Sequence, residues 1–270
     1  MSLRSLLTLA GAATLVGCVQ PVETPEELVD PTFFFFSEFE TADDERAAEA
    51  VLALEAATFD VVDLEGERSG RQWQPPPLTE EHLGGATAPE GVDPQLQVSV
   101  QVAGLSRHPV SVHDAGVLVA DQAPLEPSAP VHDRSFPDGT DCWETPDCER
   151  IDTVNQISKS NILYTIDYDT EKDFRRLTLP DGRAVLFART WNDEVAVGEE
   201  GINSIDQNYS TDVFVEDKDD PGKTRRIMTV WSSVTLPNTN PSDDLIRTTV
   251  AMGIDSLFAR HDNVWDDEAR

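Results

Sequence analysis

Apolar and polar positions alternate without a break over residues 96–102, Leu-Gln-Val-Ser-Val-Gln-Val, as on a strand with one buried face. From residue 151 onward the pattern stays that of strands. Segments 151–157, 161–168, 174–179, 184–191, 208–216 and 225–236 are rich in apolar, β-branched and aromatic residues and are separated by polar or turn residues. Pro180-Asp181-Gly182 predicts a tight turn, with proline setting φ and glycine accepting a positive φ, and residues 217–223 predict a longer charged hairpin. Hairpin links make sequential strands antiparallel neighbours. After Ser242-Asp243-Asp244, a capping serine with acids at the positive end, residues 245–260 place Ile246, Val250, Ile254, Leu257 and Phe258 along one side of a long helix. That apolar stripe must cover something, and the preceding sheet is the available partner.

The first third is less regular. Thr41, followed by Asp43 and Asp44, predicts the N-cap of a helix running to residue 57, with Ala47, Val51, Leu52 and Leu54 on its apolar side. Residues 66–94 hold Pro75-Pro76-Pro77 and Gly84-Gly85 and read as an extended connector outside the core. The stretch 19–31, rich in Pro, Glu and Val, reads as a disordered tether, and Phe33-Phe34-Phe35-Phe36 fits neither an exposed linker nor an amphipathic period, so these rings are expected to tuck against the domain. A helix is predicted over 110–120, before an irregular, proline-rich passage. The expected architecture is α+β: an antiparallel sheet of about six to seven strands, a long C-terminal helix packed across it, and an N-terminal helix. The expected divisions are 1–17, 18–37, 38–94 and 95–270.

The chain opens with Arg4 and an uncharged apolar run over 6–16, the layout of an export signal. A run of roughly 11 residues is too short to span a bilayer, which takes about 20. It closes on Leu15-Val16-Gly17-Cys18, which resembles the lipobox of bacterial lipoproteins. The resemblance implies removal of residues 1–17, lipid on Cys18, an 18–37 tether and attachment to the cell envelope. Because Val19 and not aspartate follows the cysteine, it also implies sorting to the outer membrane. Two or three acyl chains anchor almost permanently. The remaining cysteines, Cys142 and Cys148, are expected to form a disulfide in such an oxidising compartment, since His132 alone lies near enough to complete a metal site. The formal charge of −31 argues against nucleic acid as a partner. The membrane, through Cys18, and an apolar small molecule are the expected partners, and no cofactor or metal is expected.

One strand, a helical interlude, six antiparallel strands and a closing helix form the element order of the helix-grip fold. In that order residues 96–262 resemble START-like proteins, which hold lipids, sterols or other apolar molecules between sheet and final helix. The resemblance implies a cavity, and its expected lining is Tyr164, Tyr168, Phe187, Trp191, Met228, Trp231 and Met252; the competing reading is that these residues fill a solid core. The sequence departs from the family where the short paired helices belong, which here is proline-rich and interrupted by the cysteine loop. Signatures of serine and zinc hydrolases are missing, as are a complete phosphate loop and a helix-loop-helix calcium loop. Three functions therefore stand open: carriage of an apolar ligand, a structural or protein-binding envelope lipoprotein without one, and, behind these, a hydrolase whose catalytic groups gather from distant positions.

Overall fold

Residues 98–106 keep the alternation of a strand and form the first long member of one large sheet, seen here in a computed structural model. The structure describes residues 21–59, 72–93, 96–126, 128–145, 147–160, 165–198, 203–236 and 242–268. The segment ending in Cys18 and the candidate Tyr164 lie outside them. The elements in order are β1 (Val22–Glu23), α1 (Glu26–Ser37), α2 (Asp44–Thr58), β2 (Gln72–Gln74), β3 (Val98–Ser106), α3 (Val110–Gly116), β4 (Val131–Ser135) and β5 (Arg150–Ser160). They continue with β6 (Thr165–Thr178), β7 (Ala184–Trp191), β8 (Ala196–Val197), β9 (Ser204–Glu216), β10 (Thr224–Thr235) and α4 (Asp243–Glu268).

The sheet runs β1-β2-β3-β10-β9-β7-β6-β5-β4, with β8 paired to β9. Its first long strand lies beside its last, and the others follow in reverse order. All pairings but β1/β2 are antiparallel. This order, closed by a 26-residue helix packed on β3, is the helix-grip architecture. The turn at residues 180–182 joins β6 to β7, and Gly182 sits at φ 93°, where a side chain would be strained. Two of the expected strands, 161–168 and 174–179, meet in the single 14-residue β6, because the charged residues between them lie within a continuous ladder to β5. Opposite the Ser233/Val234 step of β10, β9 carries an extra residue, a bulge that locally bends and twists the strand.

The N-terminal region differs most from expectation. Residues 26–37 form a helix, half of which falls in the stretch expected as a disordered tether. Pro31 sits inside it, at a cost in backbone hydrogen bonding, and burial offsets that cost. Leu28, Thr32, Phe35, Phe36 and Phe39 recur at helical spacing and are all almost fully buried. Phe35 and Phe36 therefore belong to a helical stripe, while Phe33 packs in the neighbouring cluster and Phe34 is partly buried beside the core. Asp43, not Thr41, caps α2, accepting from the Arg46 N–H at 2.9 Å. The expected connector is also partly core: β2 joins the sheet, and Leu78 and Leu83 are buried against α1 and Trp231.

The two faces of the sheet carry different covers. Odd-numbered residues of β6, β7, β9 and β10 face α1 and α2: Leu177, Val185, Phe187, Val213, Val215 and Ile227 share one core with Leu28, Phe35, Val51 and Leu54. Tyr209 and Trp231 pack with Phe33, Phe36 and Leu83 beside it. Even-numbered residues of these strands face α3 and α4, and beyond the bulge β9 turns Ile205 to that side as well.

Candidate functional site: a lumen between the sheet and the terminal helix

Helix α4 is seated firmly toward its C-terminal end. Ala251 and Ile254 pack on Val100 and Val102. Phe258 lies so near Gly104, and Trp265 so near Gly116, that a Cβ on either glycine would approach the ring to 2.9 Å. Asp262 accepts from Ser106 Oγ at 2.6 Å, and Arg260 donates to the Pro124 carbonyl at 2.6 Å. The N-terminal half, capped by Ser242 Oγ on the Leu245 N–H at 3.3 Å, stands off the sheet. Leu245 and Met252 are each 58% exposed there.

Between this helix and the even-numbered face lies a cavity of about 910 Å³, near the upper end of the roughly 300–1,000 Å³ typical of small-molecule sites. Its roof is mainly apolar, with Leu245, Ile246, Val250, Ile254 and Leu257 facing inward. Its floor is mixed. The hydrogen-bond register puts Lys172, Thr190, Ser210 and Val230 side by side across β6, β7, β9 and β10, and all four line the cavity. Thr170 lies opposite Asn155 and Tyr168 opposite Ile157 in the β5/β6 ladder, on the same floor.

Charged groups line the lumen along its length. Arg226 holds Asp212 in a bidentate pair at 2.9 and 2.5 Å, and its guanidinium lies between the rings of Phe214 and Phe258. Lys159 pairs with Glu126 at 3.0 Å, and His132 meets the same carboxylate at 2.9 Å. Burial opposes both charges of the first pair, but mutual attraction outweighs it, so Glu126 lies below the usual carboxylate range and Lys159 above the usual amine range. Lys159 is enclosed by protein yet keeps 30% of its side-chain surface accessible, which is the surface of the cavity wall. Arg134 is pushed down to about 9 by burial; it donates to Asn155 Oδ1 at 3.0 Å and to the Val117 carbonyl at 2.9 Å.

Two histidines lie beside Arg226, and both are held neutral. His113 is pushed down to about 3 by burial and then by Arg226 and His108; its Nε2 lies 3.0 Å from Ser106 Oγ. His261 is lowered by burial, Arg226 and His113. Because Ser106 is also bound to Asp262, the Ser106/His113 contact ties α3, β3 and α4 together. Among the described residues no group of His, Cys, Asp or Glu is placed to hold a metal ion.

Of the sequence-derived candidates, Tyr168, Met228 and Met252 line this cavity. Phe187, Trp191 and Trp231 do not: their odd positions turn them to the opposite face, where Phe187 meets Phe35 and Phe39 edge-on at 5.3 Å and Trp231 is fully buried. Trp191 packs against the same aromatic cluster. For these three the solid-core reading holds, by strand parity. Selecting on size and apolarity missed Lys172, Thr170, Asn155 and Arg134; alternation from Tyr168 would have reached Thr170 and Lys172. The expected disulfide is present: Cys142 and Cys148 are joined, in a loop that places Trp143 in the core beneath Arg176.

No protein-family model matches the chain, nor does any curated relative. Solved structures similar to it include a STAR-related lipid transfer protein fragment from Xanthomonas axonopodis, at 13% identity and TM-score 0.39, covering 64% of this chain and 88% of that one. The human StarD13 lipid transfer and protein localization domain gives 15% identity and TM-score 0.37, covering 62% and 77%. The Zhui aromatase/cyclase from Streptomyces gives 11% and 0.36, covering 62% and 96%. The helix-grip assignment rests on the strand order and helix placement described above.

Proposed function

We propose that this chain is an envelope-anchored lipoprotein that carries an apolar small molecule or lipid between α4 and the sheet. The observation that carries the binding reading is the cavity of about 910 Å³ beneath a helix whose inner side is apolar. A solid core would bring Ile246 and Leu257 onto the strands, as Val250, Ala251 and Ile254 are. An apolar body under the roof releases water from apolar surface at about 25 cal/mol per Å².

The anchor is a separate part of the proposal, supported by the apolar run over 6–16 and by Leu15-Val16-Gly17-Cys18. The Cys142–Cys148 disulfide accords with an oxidising compartment. Outer-membrane placement follows the absence of an acid at Val19. No helix among the described residues is long and apolar enough to cross a membrane.

Two measurements test the halves independently. Full-length Cys18→Ala protein, exported and purified, is expected to yield a stoichiometric apolar compound in organic extract by mass spectrometry, or to take up fluorescent lipid when emptied. An empty extract together with no uptake removes the ligand-carriage reading. In cells fed labelled palmitate, the wild-type chain is expected to carry label in the membrane fraction and Cys18→Ala to carry none; equal labelling of the two removes the anchor.

A further inference from the structure

Lys172 differs from every other cation of the lumen. Arg226 and Lys159 end on carboxylates, and Arg134 ends on an amide oxygen and carbonyls at the end of α3. Among the described residues, Lys172 has no carboxylate in ion-pair range and no hydrogen-bond acceptor for its ammonium; its one close partner is the Phe174 ring face, 5.0 Å away. It is nonetheless enclosed, in the middle of the polar floor. Burial, then Arg134 and Arg226, push it down to about 8, so it stays largely protonated at neutral pH. An enclosed cation without a counter-charge is costly.

The wall beside it repeats the theme. Thr170, two residues along the same strand face, has a buried hydroxyl with no partner, and Asn155, opposite Thr170, has a side-chain amide nitrogen with no partner. Both residues are 2% exposed or less. Residues i and i+2 of a strand stand roughly 7 Å apart and opposed residues about 5 Å, so three unmatched donors, one of them charged, share a small area of the floor. Buried donors in native proteins are nearly always matched. With the Arg226/Asp212 and Lys159/Glu126 pairs each neutral, and the Arg134 guanidinium spent on Asn155 Oδ1 and the Val117 carbonyl, Lys172 is the cation of the floor whose donors are left over, which suits a monoanion with two acceptor oxygens. We propose that Lys172, with Thr170 and Asn155 beside it, receives the carboxylate head of an amphiphile whose apolar tail lies under α4.

This inference rests on the reading of the lumen as a ligand site, and the two fail differently. The full chain carrying Cys18→Ala is titrated with lauric acid and with lauryl alcohol, which share a tail. A charge-assisted pair in place of a neutral one predicts roughly tenfold or greater preference for the acid. Lys172→Met is expected to bring the acid to the level of the alcohol while leaving the alcohol unchanged, and Lys172→Arg to keep the preference. Equal binding of acid and alcohol by the unsubstituted lumen, or an undiminished preference in a folded Lys172→Met, overturns the carboxylate site while leaving a ligand cavity in place. Binding of neither overturns both. Should Lys172→Met fail to fold, Thr170→Val serves in its place, with a reduced acid preference expected and an unchanged one counting against the site.

Discussion

The two faces of this sheet are made by the same strands from alternate residues, yet one is filled and the other is hollow. On the filled face, α1 and α2 drive phenylalanines between the strands, and the arginines that share the layer all end on carboxylates: Arg175 on Asp44, Arg183 and Arg225 on Glu55, Arg189 on Asp173 and Glu40. On the hollow face a single long helix spans the sheet, docked toward one end and raised at the other, and Lys172 is left without a counter-charge. The single helix packs on β3 through Ala251 and Ile254, whereas the two shorter helices both pack into the core of the other face. The filled face supplies stability, which leaves the other free to keep a lumen and an unmatched charge.

The sharpest way to break this comparison is at Phe187. Phe187→Ala removes a ring wedged between Phe35 and Phe39 and is expected to cost about 3–5 kcal/mol in urea unfolding; a loss below 1 kcal/mol would mean that the filled face is not filled. Next is Glu55, which accepts from Arg183 at 2.8 and 2.9 Å and from Arg225 at 2.9 Å. Glu55→Gln leaves Arg183 with Asp181 and Arg225 with Asp217 as their remaining counter-charges, with an expected loss of about 2 kcal/mol by the same assay.

The hollow face should answer more weakly, and partly through pH. His113 is neutral in the fold down to about pH 3, whereas in the unfolded chain it takes a proton near its ordinary 6.5. Its contribution is whole above pH 6.5 and is lost as pH falls from there toward 3, because the unfolded state then binds the extra proton. The slope from this one group approaches about 1.4 kcal/mol per pH unit. His113→Gln is expected to flatten the acid limb of a stability-versus-pH curve, and an unchanged limb would remove this histidine from the account. Smallest of all is Met228→Ala. Its side chain borders the lumen and meets the Ala251/Ile254 cluster on one side, so its removal mainly enlarges an existing space. A loss of about 1 kcal/mol or less is expected, with room for a bulkier ligand in the fluorescent-lipid assay; a loss matching that at Phe187 would mean that the helix and sheet are in contact there.

The positions of these residues also show what sequence patterns reach. Strand β7 was legible to the residue, and β9 and β10 nearly so, because alternation and hairpin turns are local. Helix α1 escaped notice because Pro31 argues against a helix and the helical spacing of Leu28, Thr32, Phe35, Phe36 and Phe39 is masked by a run of neighbouring rings. β4, Val131–Ser135, escaped too, since its residues Val-His-Asp-Arg-Ser carry almost no apolar signal and it is held by its ladder to β5. Within the site, parity along β6 links Tyr168, Thr170 and Lys172 from sequence alone, but a search for large apolar residues passes over the last two.

The sequence alone determined the element order: one strand, an interlude, an antiparallel run and a closing amphipathic helix, together with a pair of cysteines close enough to join. It also divided each strand into two sets of residues. Which set would be packed solid and which would border a lumen was decided by the tertiary structure, because an alternating pattern has two equivalent sides until something covers them. The covers come from residues 26–58 and 243–268, at opposite ends of the chain. The same is true of Lys172: its lack of a counter-charge is a property of what β4, β5, β9, β10 and α4 place around it, and no window of sequence contains them all.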